Sequence, residues 1–366
     1  MRIMLIAPPW VAVPPTAYGG TEAVLDTLAR GLQRAGHDVV LFATGDSTCE
    51  VRRDWVLPAA VGVGKGGPAT ELRHVIHAYE AALDARVDIV HDHTIAGPVY
   101  ANRFPGLPVV TTNHGLFQGE FRDHYRAISG DVPIIAISHH QASTAPRVPL
   151  AAVIHHGIDP ERSPAGKGDG GYAVFLGRMC QEKGVPTAIR VARRAGMPLK
   201  IAAKMSAPAE LRYFEQHVKP LLGGPIEYIG EVGGADKAAL LGGAVCLLNP
   251  IDWSEPFGMV MLEALATGTP VVVTPMGAAP EIVDHGKTGF VCSGEDALAR
   301  AVAASAGLDR DECRNVVAGR FSADRMVSDH LALYDKVVGE DTGFTWRAAA
   351  PTGEGPRSLL RSPAPA

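Results

Sequence analysis

Cysteine is scarce and scattered: five residues, at 49, 180, 246, 292 and 313, with no Cys-x-x-Cys pair among them. An odd set of this kind argues against a disulfide framework and a cysteine zinc site, and fits a reducing compartment. Long apolar runs are missing too. The first, residues 3–7, meets Pro8-Pro9 and is too short for a signal-peptide core or a bilayer span. A cytoplasmic chain without stable membrane insertion is the expectation. Charge of one sign is also lacking: the net charge of −5 and pI near 6.3 leave no footprint for nucleic acid.

What is present is an ordinary globular balance in a chain long enough for two cores, 366 residues with 46 % hydrophobic and 20 % charged. Short β-branched runs alternate with helical-period stretches. Residues 2–7, 38–43, 87–91, 109–113, 134–138 and 152–155 read as strands, and 21–35 as a helix with Val24, Leu25, Leu28 and Leu32 on one face, stopping at Gly36. Residues 163–171, SPAGKGDGG, have no periodicity and read as a linker and hinge. The alternation restarts with strands at 172–176, 199–203, 226–230, 244–249 and 270–274. Nearly continuous hydrophobic strands suit parallel sheets covered on both faces. The fold class expected is α/β: two Rossmann-like doubly wound parallel-sheet domains facing a central cleft. Residues 1–162 form the first, 163–171 the linker, 172–338 the second, and 339–366 a disordered tail. Ligands of such sheets bind at the carboxyl ends of the strands.

The strongest signal is residues 249–275, NPIDWSEPFGMVMLEALATGTPVVVTP. A strand ends, a loop carries Glu255, and a helix opens near Gly258. The N–H groups of Gly258, Met259 and Val260 are then free at a helix start, which suits an anion. Glu263, a turn or two on, can accept two hydrogen bonds from a ribose diol. Two glutamates eight positions apart mean little alone; the strand–loop–helix–strand setting makes the pattern specific.

Gly177–Gly184, GRMCQEKG, follows the first strand of the second half and puts Arg178 and Lys183 where cations reach a diphosphate, or else form a solvated charge cluster. Tyr18-Gly19-Gly20-Thr21-Glu22 lies between the first strand and helix; its plain reading is a helix start capped by Thr21. His91-Asp92-His93 and Asn113-His114-Gly115 follow two strands of the first half. His-Asp-His has the alternation of a metal pair, but no further paired ligand motif accompanies it, and the site is read without metal.

These motifs are similar to those of the retaining glycosyltransferases of the GT-B fold, family 4, and the resemblance covers about residues 1–338. It implies that Glu263 holds the donor ribose, that Glu255 meets hydroxyls of the donor sugar, and that the peptides of Phe257, Gly258, Met259 and Val260 touch sugar and phosphate. Arg178 and Lys183 then neutralise the leaving diphosphate, Gly19 and Gly20 let backbone approach the donor, and His114 sits near the reacting sugar. His93 is usually structural. The family's Asn-Gly-Val-Asp is here His156-Gly157-Ile158-Asp159, and its Gly-x-Gly is Ala202-Ala203-Lys204. The latter resembles a subgroup with transferases of oligosaccharide-antibiotic pathways. Lys204 is a third cation for the diphosphate or an exposed strand-end lysine.

The function implied is transfer of a sugar from a nucleotide-diphosphate donor to an acceptor hydroxyl with retention, by an enzyme of the hexosyl or glycosyl transferase class that needs no cofactor. The acceptor is open among a small molecule, an oligosaccharide and a lipid-linked species. Two other readings stay open at this point: a sugar-nucleotide epimerase of the same architecture, and a non-catalytic nucleotide-sugar binding subunit.

Overall fold

A computed structural model describes residues 1–339; the expected tail from 340 onward lies outside the described residues. Two all-parallel sheets form. The first, in spatial order β3-β2-β1-β4-β5-β6-β7, comprises β1 (Arg2–Ile6), β2 (Asp38–Phe42), β3 (Arg52–Asp54), β4 (Ile89–Asp92), β5 (Val109–Thr112), β6 (Ile134–Ala136) and β7 (Ala152–Val153). The second, in order β10-β9-β8-β11-β12-β13, comprises β8 (Ala173–Arg178), β9 (Leu199–Lys204), β10 (Ile226–Gly230), β11 (Cys246–Asn249), β12 (Val271–Val273) and β13 (Gly289–Val291).

Successive residues of the central strands feed opposite layers, as a pleat requires. Ile3 and Leu5 of β1 pack with Val24, Leu25 and Leu28 of helix Gly20–Arg34, whereas Met4 and Ile6 pack with Val75, Ala78 and Tyr79 of helix Pro68–Asp84. The second sheet is buried in the same two-sided way: Val174 and Leu247 face one layer, Phe175 and Leu248 the other.

Two strands stand outside the sequence expectation. β3 is Arg52-Arg53-Asp54, fully exposed at the sheet edge, and pairs through backbone groups with no apolar signal. β13 is only three residues long. The last described helix, Ala323–Gly339, falls within the span expected for the second domain but returns to the first. Its Met326, Val327, Leu333 and Tyr334 are buried in the core of β1 and β2. An amphipathic face records what it needs to bury, not which sheet supplies the partner.

Two connections therefore cross between the sheets, and they pair. Ile158 N donates to Phe321 O at 2.9 Å, and Ala323 N donates to Ile158 O at 2.9 Å. The Gly-rich segment 163–171 is not free. Gly166, Gly168 and Gly170 donate to Thr267, Gly242 and Gly243 carbonyls at 2.9 Å each, and the Arg310 guanidinium donates to Gly166, Gly242 and Ala244 carbonyls. It is laid down on the second sheet. The chain passes between the two domains at the paired crossing of residues 156–159 with 321–323, while 163–171 is bonded to the second domain.

Candidate active site in the cleft

Each strand order reverses once, between β1 and β4 and between β8 and β11, and the crevices at these points receive the loops that carry the expected residues. β11 pairs with β8 only through Cys246–Ala173 and Leu247–Val174, so the two part before their loops leave.

On the second sheet, Arg178 and Lys204 are register partners at the ends of β8 and β9, which places the two cations side by side. Lys183 is buried at the end of the following turn and forms an ion pair with Glu255 Oε2. The same oxygen accepts from Trp253 Nε1 at 2.8 Å, and the Lys183 ammonium lies 4.9 Å from the Trp253 ring centre. Asp252 N donates to Glu182 O at 2.9 Å and joins the two loops. Gly258, at φ +98°, turns the chain into helix Met259–Ala266. Glu263 on that helix accepts from Lys237 Nζ at 2.6 Å. Phe257 is buried, its ring 5.0 Å from His156 and 6.3 Å from Phe321, so packing takes the side chain and leaves only its backbone for a ligand.

From the first sheet, Gly19 and Gly20 open helix Gly20–Arg34, and the atom nearest a Cβ on Gly20 would be Cγ of Met259, 3.8 Å away. Two helix starts thus face each other across the cleft. Thr21 caps nothing: Gly19 holds the cap position without a side-chain bond. Tyr18 leans over the second sheet, its N donating to Glu231 Oε1 at 3.0 Å and its ring 5.6 Å from Lys204 Nζ. Burial raises its phenol to about 12, against the opposing pull of Arg178. Glu22 is buried beside Gly19, and burial lifts its carboxyl to about 7.

The histidines gather at the floor of the cleft. His114 Nε2 and His93 Nδ1 share a hydrogen bond of 2.9 Å, and the His114 ring stacks on His156 at 5.3 Å. Neither His114 Nδ1 nor His93 Nε2 has a partner. Burial holds His114 down to about 4. The His91 and His93 ring centres lie 4.0 Å apart, but Asp92 faces the other way and joins no ligand set with them. His91 bonds the Tyr334 and Thr112 hydroxyls at 2.6 and 2.7 Å, while Asp92 accepts from Thr94 and Tyr79. The Asp309-Arg310-Asp311 triplet is a helix cap, with Asp309 Oδ1 accepting from Asp311 N. Among the described residues, His139, His155 and Glu281 bring ligand atoms within 4.8 Å of one another, and His155 Nε2 is already bonded to Glu281 at 2.7 Å.

Two sequence families cover this arrangement. The description "Glycosyltransferase Family 4" matches residues 18–162, and "Glycosyl transferases group 1" matches residues 170–306. The chain belongs to the family 4 glycosyltransferases. It is 28 % identical over 383 aligned positions to a glycogen synthase of Mycobacterium tuberculosis, covering 90 % of this chain and 91 % of that one. It is 25 % identical to a phosphatidyl-myo-inositol mannosyltransferase of Mycobacterium leprae, covering 92 % and 97 %. Among solved structures, AviGT4, a glycosyltransferase involved in avilamycin A biosynthesis, superposes with a TM-score of 0.73 at 27 % identity over 92 % of this chain and 98 % of that one. The Anabaena protein HepE in complex with UDP-glucose gives 0.71 at 17 % identity, covering 91 % and 99 %, a likeness of fold.

The GT-B fold of this glycosyltransferase explains which site residues local sequence did not reveal. Trp253 and Lys237 hold the two glutamates, and Glu231, Glu281 and His140 span the cleft. All but Trp253 act through a partner far along the chain, so no spacing announces them; Trp253 stands two residues before Glu255 in the motif itself. No described helix is long and apolar enough to cross a membrane.

Proposed function

We propose that this transferase moves a sugar from a nucleoside-diphosphate donor to an acceptor hydroxyl with retention at the anomeric carbon. The observation that carries the reading is the set of cations at one strand-end crevice, with Arg178 beside Lys204 and Lys183 under Trp253, facing the start of helix Met259–Ala266. Cations and free N–H groups in that arrangement suit a diphosphate and stabilise the charge that grows on it as the glycosidic bond breaks. The UDP-glucose held by the Anabaena protein of the same fold supports a nucleotide-sugar donor.

Glu263 takes the ribose diol, with Lys237 fixing the carboxylate. Glu255 meets the donor sugar, and the diphosphate replaces it as counter-charge to Lys183. The acceptor hydroxyl approaches the face that the diphosphate leaves, and a phosphate oxygen takes its proton. Glu255 and Glu263 are each held by their own lysine, which does not suit the paired acid and nucleophile of a glycosidase. His114, with an unpartnered Nδ1 at the cleft floor, is the neutral donor or acceptor for a sugar hydroxyl.

A thermal-shift comparison of UDP-, GDP-, ADP- and dTDP-sugars identifies the donor, since a ligand at a hundred times its dissociation constant adds about 2.7 kcal/mol of apparent stability. The anomeric configuration of the product, read by NMR, tests retention. Inversion, or failure of all four sugar nucleotides to stabilise the folded protein, overturns the reading.

A further inference from the structure

The loop that carries Glu255 is gripped from the other domain on both sides of that residue. Ser138 Oγ donates to Pro256 O at 2.6 Å, and His140 Nε2 bonds Ser254 Oγ at 2.6 Å. Both come from the start of the short helix His139–Ser143, just past the end of β6. The same segment is fastened a second time. The His139 and His140 amides donate to the two oxygens of Glu281 at 2.9 and 2.6 Å, and His155 Nε2 adds a bond of 2.7 Å. Glu281 sits on helix Ala279–Ile282, and Ala278, immediately before it, donates its N–H to Glu255 O at 2.9 Å. The bonds therefore close a ring: Glu255 loop, first-domain segment 138–140, Glu281 helix, and back to the Glu255 carbonyl.

The ring continues toward the histidine side. Gln141 Nε2 donates to Asn113 O at 2.8 Å, which ties the segment to the backbone that presents His114. Burial by itself would raise the Glu281 carboxyl. The bonds from His155 and the two amides outweigh it and hold the group below its ordinary value, as a carboxylate that accepts from several donors should be.

We propose that Ser138, His140 and Glu281 are positioning residues that hold the Glu255 loop in place from across the cleft and so complete the site for the donor sugar. This rests on the reading of Glu255 as the group that meets that sugar. The groups assigned to the nucleotide, Arg178, Lys183, Lys204 and Glu263, belong to the second domain and are not bonded to segment 138–140; of them Lys183 alone touches the ring, through Glu255. The arrangement separates the two events. Nucleotide binding draws on groups of the second domain, whereas the sugar site depends on a loop that the first domain holds in place.

The test pairs Ser138→Ala/His140→Ala and Glu281→Gln with Glu255→Gln as reference. Affinity for the nucleoside diphosphate of the best-stabilising sugar nucleotide is measured by calorimetry. Release of that diphosphate from the sugar nucleotide, with acceptor absent, gives the saturated rate. Trp253 emission reports the loop, with Trp253→Phe identifying its share of the signal. The latch variants should keep nucleoside diphosphate affinity within about twofold and lose about tenfold or more in saturated rate, the scale of one or two buried hydrogen bonds. Their Trp253 emission should no longer change on nucleotide addition as the wild type's does. His140→Asn, which keeps a hydrogen-bonding group toward Ser254, should recover part of the rate.

An unchanged rate in the latch variants while Glu255→Gln loses it overturns the latch. So does a fall in nucleotide affinity that matches the fall in rate, which marks a structural role only. If Glu255→Gln is as fast as wild type while the latch variants are slow, the role of Glu255 is what fails.

Discussion

Buried against Trp253 and paired with Glu255, the Lys183 ammonium has lost most of its water and already has a counter-charge. Arg178 and Lys204 already meet the charge of the ground-state phosphates, whereas the charge that builds as the bond to diphosphate breaks has Lys183 to meet it. Lys183→Ala should therefore lower kcat by on the order of a hundredfold and donor affinity less, the pattern of a group whose interaction strengthens in the transition state. It also leaves Glu255 buried without its cation, and about 3 kcal/mol of stability should go with it. Lys183→Arg should rescue partly, since a planar fork does not replace a compact ammonium. Single-turnover rates and donor titrations on variants shown to be folded decide the matter; loss of affinity with an untouched saturated rate would leave Lys183 a holding group. For Glu263→Ala the expectation is reversed. Two hydrogen bonds to a ribose diol vanish, donor binding weakens about tenfold, and Lys237 loses its partner. Unchanged affinity would make this carboxylate a helix-surface group.

At the scale of elements, Gly184 links turn and sheet. It lies at φ +73°, and a Cβ there would come within 2.1 Å of Pro250 O, the first residue beyond β11. Gly184→Ala has to push the Lys183 turn away from the Glu255 loop. The strain should cost about 1–3 kcal/mol in urea unfolding, with a loss of turnover larger than stability alone explains. A variant as stable and as fast as wild type would show that the two loops are not held in register here. This contact was not legible in the sequence. Gly184 reads as part of GRMCQEKG and Pro250 as part of the next motif, 66 positions on, and nothing local says that they touch. What was legible is what has a short period or a fixed local order: the central strands with their continuous apolar runs, helix Gly20–Arg34, and the strand–loop–helix run from Asn249 to Val273. The edge strand β3 carries charge on every residue and gives no such signal. Helix Ala323–Gly339 shows its amphipathic face but not its destination. The linker reads as loose because its glycines have no side chains to pack, whereas the bonds that pin it come from its own backbone and from Arg310.

At the scale of the whole molecule, buried histidines gather in the first domain and on the helix that returns to it. His91, His93, His114 and His156 from the first half and His330 from the returning helix are all held below the ordinary histidine value, with burial as the largest cause in each. For His114 and His330 the folded value is about 4, against about 6.5 in an unfolded chain. As pH falls through that interval the unfolded state takes protons that the folded state refuses. The contribution of each group is therefore complete above about 6.5 and drains away toward 4, by up to about 1.4 kcal/mol per pH unit. Three carboxyls act in the other direction: Glu22 and Asp92, both raised to about 7 by burial, and Glu71, raised by the same cause, hold protons in the folded state that the unfolded chain has released, and so favour folding more as pH falls. With His74, also held down to about 4 by burial, six buried histidines stand against three carboxyls, and the sum falls on the side of acid sensitivity. Tm should fall between pH 6.5 and 5, and His330→Gln, which removes one buried imidazole away from the substrate groups, should make that slope shallower. Melting curves at constant ionic strength read both. A Tm that is flat or rises over this interval, with the same slope in His330→Gln, would mean that the buried histidines do not set the pH dependence, and the reading of His114 as a neutral partner of a sugar hydroxyl would lose this support.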